Sequence, residues 1–409
     1  MASRGLSNLV NFILFGGALA AGCFLTYKLL GDFILNPADP DAQEQSFIVE
    51  PGWGLKKIAS KLEEKKIVKN KHSLSVLSQF MKGPDGKKLS EAKIHPGEYK
   101  MSPAKTPKEL LNNLAEANIV YHEFSIPEGS TLKQIAKKMA ATTLCTEEEA
   151  NKHFNSPVVV DQFGIPASTV EGYLYPSTYK FTKPDNARTM IEQMIKEGQK
   201  LRTEDLERRA HELGLTWHNV LTLASIIEKE TGEASERKII SSVFHNRISI
   251  QMPLQTDPTV IYGIPNFDGN LTKQHLKTPG PYNTYLNTGL PPTPIASPGE
   301  DAIDAALYPA DTEHLFFVSK NDGTHQFSVT YADHTKAVNQ YQKGKATPEP
   351  TKKKKKKKVV KKVKKVEKKK VEKKVKKVEK KVEGQAKPKS DPGKLKRKKG
   401  PLSQLELDF

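Results

Sequence analysis

The chain has 409 residues, 36% of them hydrophobic, and a formal charge of +18; it is long and apolar enough for two or three domains with real cores, which excludes a wholly disordered protein. From Thr351 onward there are 27 Lys or Arg against 7 Asp or Glu, so the tail carries +20 and the remainder about −2; the basic balance is then no argument for a nucleic-acid-binding fold. Two cysteines, Cys23 and Cys145, exclude a disulfide framework.

From Gly5 to Tyr27 the chain carries no charge, and "FILFGGALAAGCFLTY" lies at the centre of this stretch. That length matches the ~20 apolar residues that span a bilayer, so a single transmembrane helix is expected over residues 9–30, preceded by residues 1–8. The small residues of "ALA" and "AAGC" raise a cleaved signal peptide and a lipoprotein signal as rivals, but "FLTYKLL" stays apolar past Cys23. Arg4 on one flank and Lys28 on the other leave the orientation open. "NPADPDAQEQ" then reads as a linker, residues 31–45.

"FIVEPGWGLKKIASKL" from Phe47 is a β run, a Pro-Gly turn and an amphipathic helix with Leu55, Ile58, Ala59 and Leu62 at helical spacing. "FSIPEGSTLKQIAKKM" from Phe124 repeats it, with Gly52 and Gly129, Leu55 and Leu132, Ile58 and Ile135, and Ala59 and Ala136 in correspondence. A second echo joins "HPGEYKMSPAKTPKELLNNL" from His95 to "VEGYLYPSTYKFTKPDNARTMIEQM" from Val170. The reading is two copies of one unit, each β-turn-helix plus β-turn-helix, over residues 46–120 and 121–215.

Residues 216–345 form a third region. It opens with a helix from Trp217 to Thr231 capped by Thr216, followed by a second helix in "SERKIISSVFHNRI". "EDAIDAALYP" is a further helix, and "HLFFVSKNDGTHQFSV" is a hairpin turning at Asn321-Asp322-Gly323. Between them "TPGPYNTYLNTGLPPTPIASPG" is a long loop whose interleaved Tyr282, Tyr285 and Leu290 argue for order and function. Short β runs mixed with helices in this order make the fold class α+β. The "KKVEKK" units of residues 346–409 are expected to be a solvated, disordered tail, because lysine repulsion outweighs the small apolar payload.

The chemistry gathers in the third region. At 100° per residue Trp217, Leu221, Ala224 and Glu228 fall on one line of the first helix, so Glu228 is a carboxylate on an apolar face. Burial disfavours its charged form and suits it to act as a proton donor near neutral pH. Glu230, pointing nearly opposite, and Glu233 read as surface charges. Gln255, Tyr262, Tyr282, Asn283 and Tyr285 are side chains of the kind that stack on sugar rings and hydrogen-bond hydroxyls, although packing and turn chemistry would also account for them. Asp257 is the reserve second carboxylate. His325, His334 and Asp333 match no specific metal-ligand spacing, and no metal or cofactor is expected.

"LASIIEKETGEASER", "VFHNR", "LQTDPTVIYG", "TPGPYNTYLNTGLPPTPIASPG" and "HQFSVTYADHTKAV", in this order, resemble the YceG-like family of endolytic murein transglycosylases over roughly Phe47 to Tyr341. The resemblance places the family's acid/base on Glu228 and a LysM-like, peptidoglycan-binding module on residues 46–120. It implies cleavage of the β-1,4 bond between N-acetylmuramic acid and N-acetylglucosamine inside glycan strands, leaving 1,6-anhydro ends and terminating nascent strands. Glycan strands, the membrane and cell-wall synthases are the implied partners, with no nucleic acid. The implied location is the bacterial inner membrane, single-pass, with residues 1–8 cytosolic and the catalytic domain outside the cytoplasm. Thr293 and Thr335 depart from the family pattern and bear only on fine substrate contacts. A lone acid/base fits a transglycosylase better than a hydrolase, which commonly needs two carboxylates.

The lysine tail lies outside the resemblance, and its expected partner is anionic lipid or an anionic envelope polymer, at about 1 kcal/mol per lysine near the surface. A protein cut at Thr351 should lose co-sedimentation with anionic vesicles at low salt; equal binding with and without the tail refutes that role.

Overall fold

A computed structural model describes residues 15–17, 19–28, 31, 34–83 and 86–342. Residues 15–17 and 19–28 are helical with exposed side chains; the rest of the expected membrane span at 9–30 is outside the described residues, as is the tail. Among the described residues no helix is long and apolar enough to cross a membrane. The remainder mixes helices with three small antiparallel sheets, an α+β architecture.

The first unit runs β1 (Gln45–Val49), α1 (Leu55–Glu64), α2 (Lys71–Ser78), β2 (Gly97–Met101), α3 (Pro107–Ala115) and β3 (Ile119–Val120), with sheet order β1-β2-β3. The second runs β4 (His122–Ser125), α4 (Leu132–Ala141), α5 (Glu147–Phe154), α6 (Pro157–Gln162), β5 (Thr178–Phe181) and α7 (Ala187–Gln199), with β4 paired to β5. The repeat read from sequence is a repeat in space. Phe47 lies opposite Tyr99 in the first unit and Phe124 opposite Tyr179 in the second. Each tyrosine hydroxyl then donates to the carbonyl four residues back, Tyr99 to His95 at 2.8 Å and Tyr179 to Tyr175 at 2.7 Å. Both strand-to-helix turns pass through a glycine at positive φ, Gly52 at 81° and Gly129 at 70°, where a side chain would be strained. Ile58, Ala59 and Leu62 of α1 are buried in one core, and Ile135, Ala136 and Met139 of α4 in the other. Deep burial of such side chains stabilises each unit by roughly 1.5–3 kcal/mol per large residue.

The third region comprises α8 (Glu204–Glu212), α9 (Trp217–Glu230), α10 (Arg237–Ser249), α11 (Asp257–Tyr262), α12 (Glu300–Leu307), the hairpin β6 (Phe316–Ser319) and β7 (His325–Ser328), and α13 (Tyr331–Tyr341). Its core draws Ala210 from α8 and so begins upstream of residue 216. Thr216 caps α9 in a reciprocal capping box with Asn219. The hairpin turns at Asn321 and Gly323, both at positive φ. Every residue of α9 from Val220 to Ile227 is buried, so this helix is enclosed on all sides rather than along one stripe. That geometry corrects the sequence reading of Glu230: the face opposite Glu228 is packed too. Glu230 accepts a hydrogen bond from the Thr256 hydroxyl just before α11, and burial pushes its carboxyl up.

Glu98 on β2 joins the first two units. Its carboxylate, 6% exposed, takes hydrogen bonds from Ser46, His122 and Lys183, and its backbone N–H donates to Thr182 Oγ1 at 2.9 Å. Burial alone would raise this carboxyl, but the Ser46 and His122 hydrogen bonds and the Lys183 charge outweigh it and hold it below the ordinary glutamate value of 4.5. The associated stability is therefore present above that value and lost as pH falls through the lower folded one. Glu98→Ala, which strands three polar partners, should cost about 2–4 kcal/mol in urea unfolding near neutral pH and less below pH 4; an equal cost at both would show that the carboxylate charge contributes nothing.

Candidate active site

Glu228 lies in the last turn of α9, half-buried. Its Oε2 accepts the backbone N–H of Gly299 at 3.2 Å, just ahead of α12. Burial is the main cause that raises its carboxyl above the ordinary range, and the charge of Glu128 pushes the same way. The Gly299 hydrogen bond, Arg237 and Lys229 pull it down without cancelling those effects. The carbonyl end of α9 is itself an unfavourable place for negative charge. The result is a carboxyl biased toward its protonated, donating form.

A loop segment, Pro292 to Gly299, positions it. The carbonyl of Pro292 meets His218 Nε2 at 2.8 Å, and Ile295 N–H donates to Ser225 Oγ at 3.0 Å, both on α9. On its other side Ser297 exchanges backbone bonds with the turn of the second unit. Gly129 N–H donates to Ser297 O at 2.8 Å, and Ser297 N–H donates to Ser130 O at 2.9 Å. Lys229 Nζ donates to the Gly129 carbonyl at 3.2 Å, and a Cβ on Gly129 would sit 3.6 Å from Glu228 Cγ. The turn "IPEGST" of the second unit is thus seated directly against the carboxyl.

That seating brings a second carboxylate to Glu228. The Glu128 side chain lies over Gly299, where a Cβ would collide with it. Two contacts meeting at Gly299 put the carboxylates of Glu128 and Glu228 within about 8 Å of each other. The expectation of one well-placed carboxylate is corrected here. The signal available in sequence was an acid directly before the positive-φ glycine of the second repeat, whereas the first repeat has Pro51 there.

The other sequence-nominated residues assemble elsewhere around the long loop. Tyr285 donates to Asp257 Oδ1 at 2.6 Å, and the charge of Asp257 helps to raise Glu230, so Asp257, Tyr285 and Glu230 form one group. Gln255 is exposed, with φ of 50° and its N–H on Thr284 O. Asn283 is buried and spends its amide on the carbonyls of His275, Leu276 and Thr278, organising the loop. Tyr282 bonds Thr293, and its ring meets that of Tyr262 edge-on at 4.8 Å. Tyr262 in turn donates to Glu171 Oε2 at 3.1 Å.

Glu171, which the sequence reading did not single out, sits at the junction of the second unit and the third region. It is 3% exposed and accepts the N–H of Leu132 at the start of α4. Burial pushes its carboxyl up to about 7 despite these hydrogen bonds. Beside it Gly172, at φ 79°, packs on Pro294 so tightly that any Cβ would overlap the proline ring. A cavity of about 320 Å³ opens between the second unit and α9, lined among others by Tyr173, Tyr175, Trp217 and Pro298.

The YceG-like family model matches residues 47–340. The chain belongs to the YceG-like family. A Bacillus subtilis (strain 168) protein named endolytic murein transglycosylase is 32% identical over 331 residues, covering 76% of this chain and 89% of its own length. A Streptococcus pneumoniae (strain D39) protein of the same name is 25% identical, covering 81% of this chain and 64% of its own. A crystal structure of a yceG-like protein from Listeria monocytogenes is 30% identical with a TM-score of 0.50, covering 73% of this chain and all of its own. The family-model match takes in all three regions described above.

The raised Glu171 carboxyl is a stability statement with a definite sign. Folding favours its protonated form, so stability is full below the ordinary value of 4.5 and is lost as pH rises through about 7, by about 3 kcal/mol in all. Glu171→Gln should be close to neutral at pH 5 and stabilising by about 1–3 kcal/mol at pH 8 in denaturant unfolding; the same difference at both pH values would mean that the carboxyl is not protonated in the fold.

Proposed function

We propose that this YceG-like protein is a peptidoglycan lytic transglycosylase that cuts inside glycan strands with Glu228 as its acid/base. The observation that carries the reading is a half-buried carboxyl, biased toward protonation, held by a backbone N–H where two units meet. The shared name of its bacterial relatives supports the reaction class. Glu228 donates its proton to the oxygen of the β-1,4 bond as the C1–O bond of N-acetylmuramic acid breaks. The carboxylate then takes the proton of the same sugar's C6 hydroxyl as that oxygen bonds C1, closing a 1,6-anhydro ring. Glu228 ends as it began, and no water is consumed.

The cavity beside Tyr175 and Trp217 is within the size range of small-ligand sites and has the aromatic walls that sugar rings favour. Gln255, Asp257, Tyr262, Tyr282, Asn283 and Tyr285 are proposed to shape the substrate side, the buried ones by ordering the loop. Residues 46–120 are proposed as the LysM-like module that retains the strand, and residues 9–30 as the anchor that holds the enzyme at the outer face of the inner membrane. There it would act beside cell-wall synthases and end growing strands. The uncharged run from Gly5 to Tyr27 supports the anchor.

Purified, uncrosslinked glycan strands incubated with the full-length protein should yield internal fragments ending in 1,6-anhydro sugars by mass spectrometry. Glu228→Gln should reduce them at least about a hundredfold with the melting temperature retained. Reducing ends from the wild type, or an active Glu228→Gln protein, would overturn the reading.

A further inference from the structure

We propose that Glu128 is a second functional carboxylate of this site, facing Glu228 across Gly299 and keeping the acid/base in its proton-bearing state. The inference rests on the reading of Glu228 given above. Its geometric basis is independent of that reading. Glu128 belongs to the second unit, in the turn that enters α4, and it reaches Glu228 only because Gly129 and Ser130 are bonded to Ser297. Gly299 has no Cβ in the space that the Glu128 carboxylate fills, and its N–H is spent on Glu228. One residue without a side chain thus separates two acids.

Among the described residues Glu128 has no hydrogen bond and no ion pair. Lys229, whose side chain lies beside Gly129, donates instead to the Gly129 carbonyl. A carboxylate left without a cation beside a carboxyl that must hold a proton is costly for stability and useful for chemistry. The charged groups around Glu228 divide by element. Lys229 is on α9 itself and Arg237 begins α10, where Asp301 of α12 pairs with it at 2.7 Å. Glu300 opens α12 and, together with Glu128 and Glu197, adds negative charge that helps to raise the Tyr175 hydroxyl, burial being the main cause. Lys229 and Arg237 favour the charged form of Glu228, and Glu128 opposes them. Loss of the Glu128 charge leaves burial to oppose them alone and shifts the balance toward the carboxylate.

The test compares full-length wild type, Glu128→Gln, Glu128→Asp and Glu228→Gln across pH, with anhydro-end formation from uncrosslinked glycan strands as the rate. Activity falls at high pH as Glu228 loses its proton. Glu128→Gln should move that falling limb to lower pH and cut the neutral-pH rate about 10-fold or more, with melting equal to or above wild type and strand binding unchanged. Glu128→Asp, which keeps the charge, should leave the limb at its wild-type position. A Glu128→Gln limb that coincides with wild type, while Glu228→Gln is inactive, overturns the role of Glu128 and leaves the acid/base standing. So does equal slowing of both Glu128 variants with neither limb moved. Activity in Glu228→Gln would instead sink the reading on which the inference rests.

Discussion

The site depends on one short loop segment, Pro292 to Gly299, being bonded on both sides at once. Its inner side meets α9 through His218, Ser225 and Glu228, and its outer side meets the turn of the second unit through Gly129 and Ser130. Most of these bonds use backbone atoms of the segment, so its path is set by peptide geometry more than by the identity of its side chains. The demands fall on Gly172, where a Cβ would overlap the Pro294 ring, on Gly299, where it would collide with the Glu128 carboxylate, and on Gly129, whose positive φ would strain a side chain.

The repeat explains why such a segment can find its partner. Both copies build the same strand pair, the same tyrosine bond to the carbonyl four residues back and the same positive-φ glycine before the helix. The first copy is joined to the second through the buried Glu98 network. The second copy's turn bears an acid before its glycine and is docked on α9. The same local features thus occur twice in the chain, and the strand-to-helix turns differ in what they contact.

Much of this was legible along the chain. The repeat could be read because apolar residues and glycines recur at matching offsets, and helical periodicity marked Glu228 because an acid on the Trp217, Leu221 and Ala224 line has no surface rationale. The same wheel failed for Glu230, since it assumes one wet face and α9 has none from Val220 to Ile227. Glu171 was invisible for a different reason, and Glu128 left one mark, an acid before the glycine of the second repeat where the first has Pro51. The surroundings of both exist only after the second unit packs on the third region. Asn283 and Tyr282 stood out as polar and aromatic residues in a loop, but sequence could not separate a side chain that orders the loop from one that faces a ligand.

Glu128 and Glu228 come from different cores, each with its own buried cluster. Neither region alone holds both of these acids. Their meeting is therefore a property of tertiary assembly, made where the turn of the second unit is bonded to Ser297. For a protein whose proposed substrate is the cell's own wall, a chain that has not assembled lacks the proposed pair.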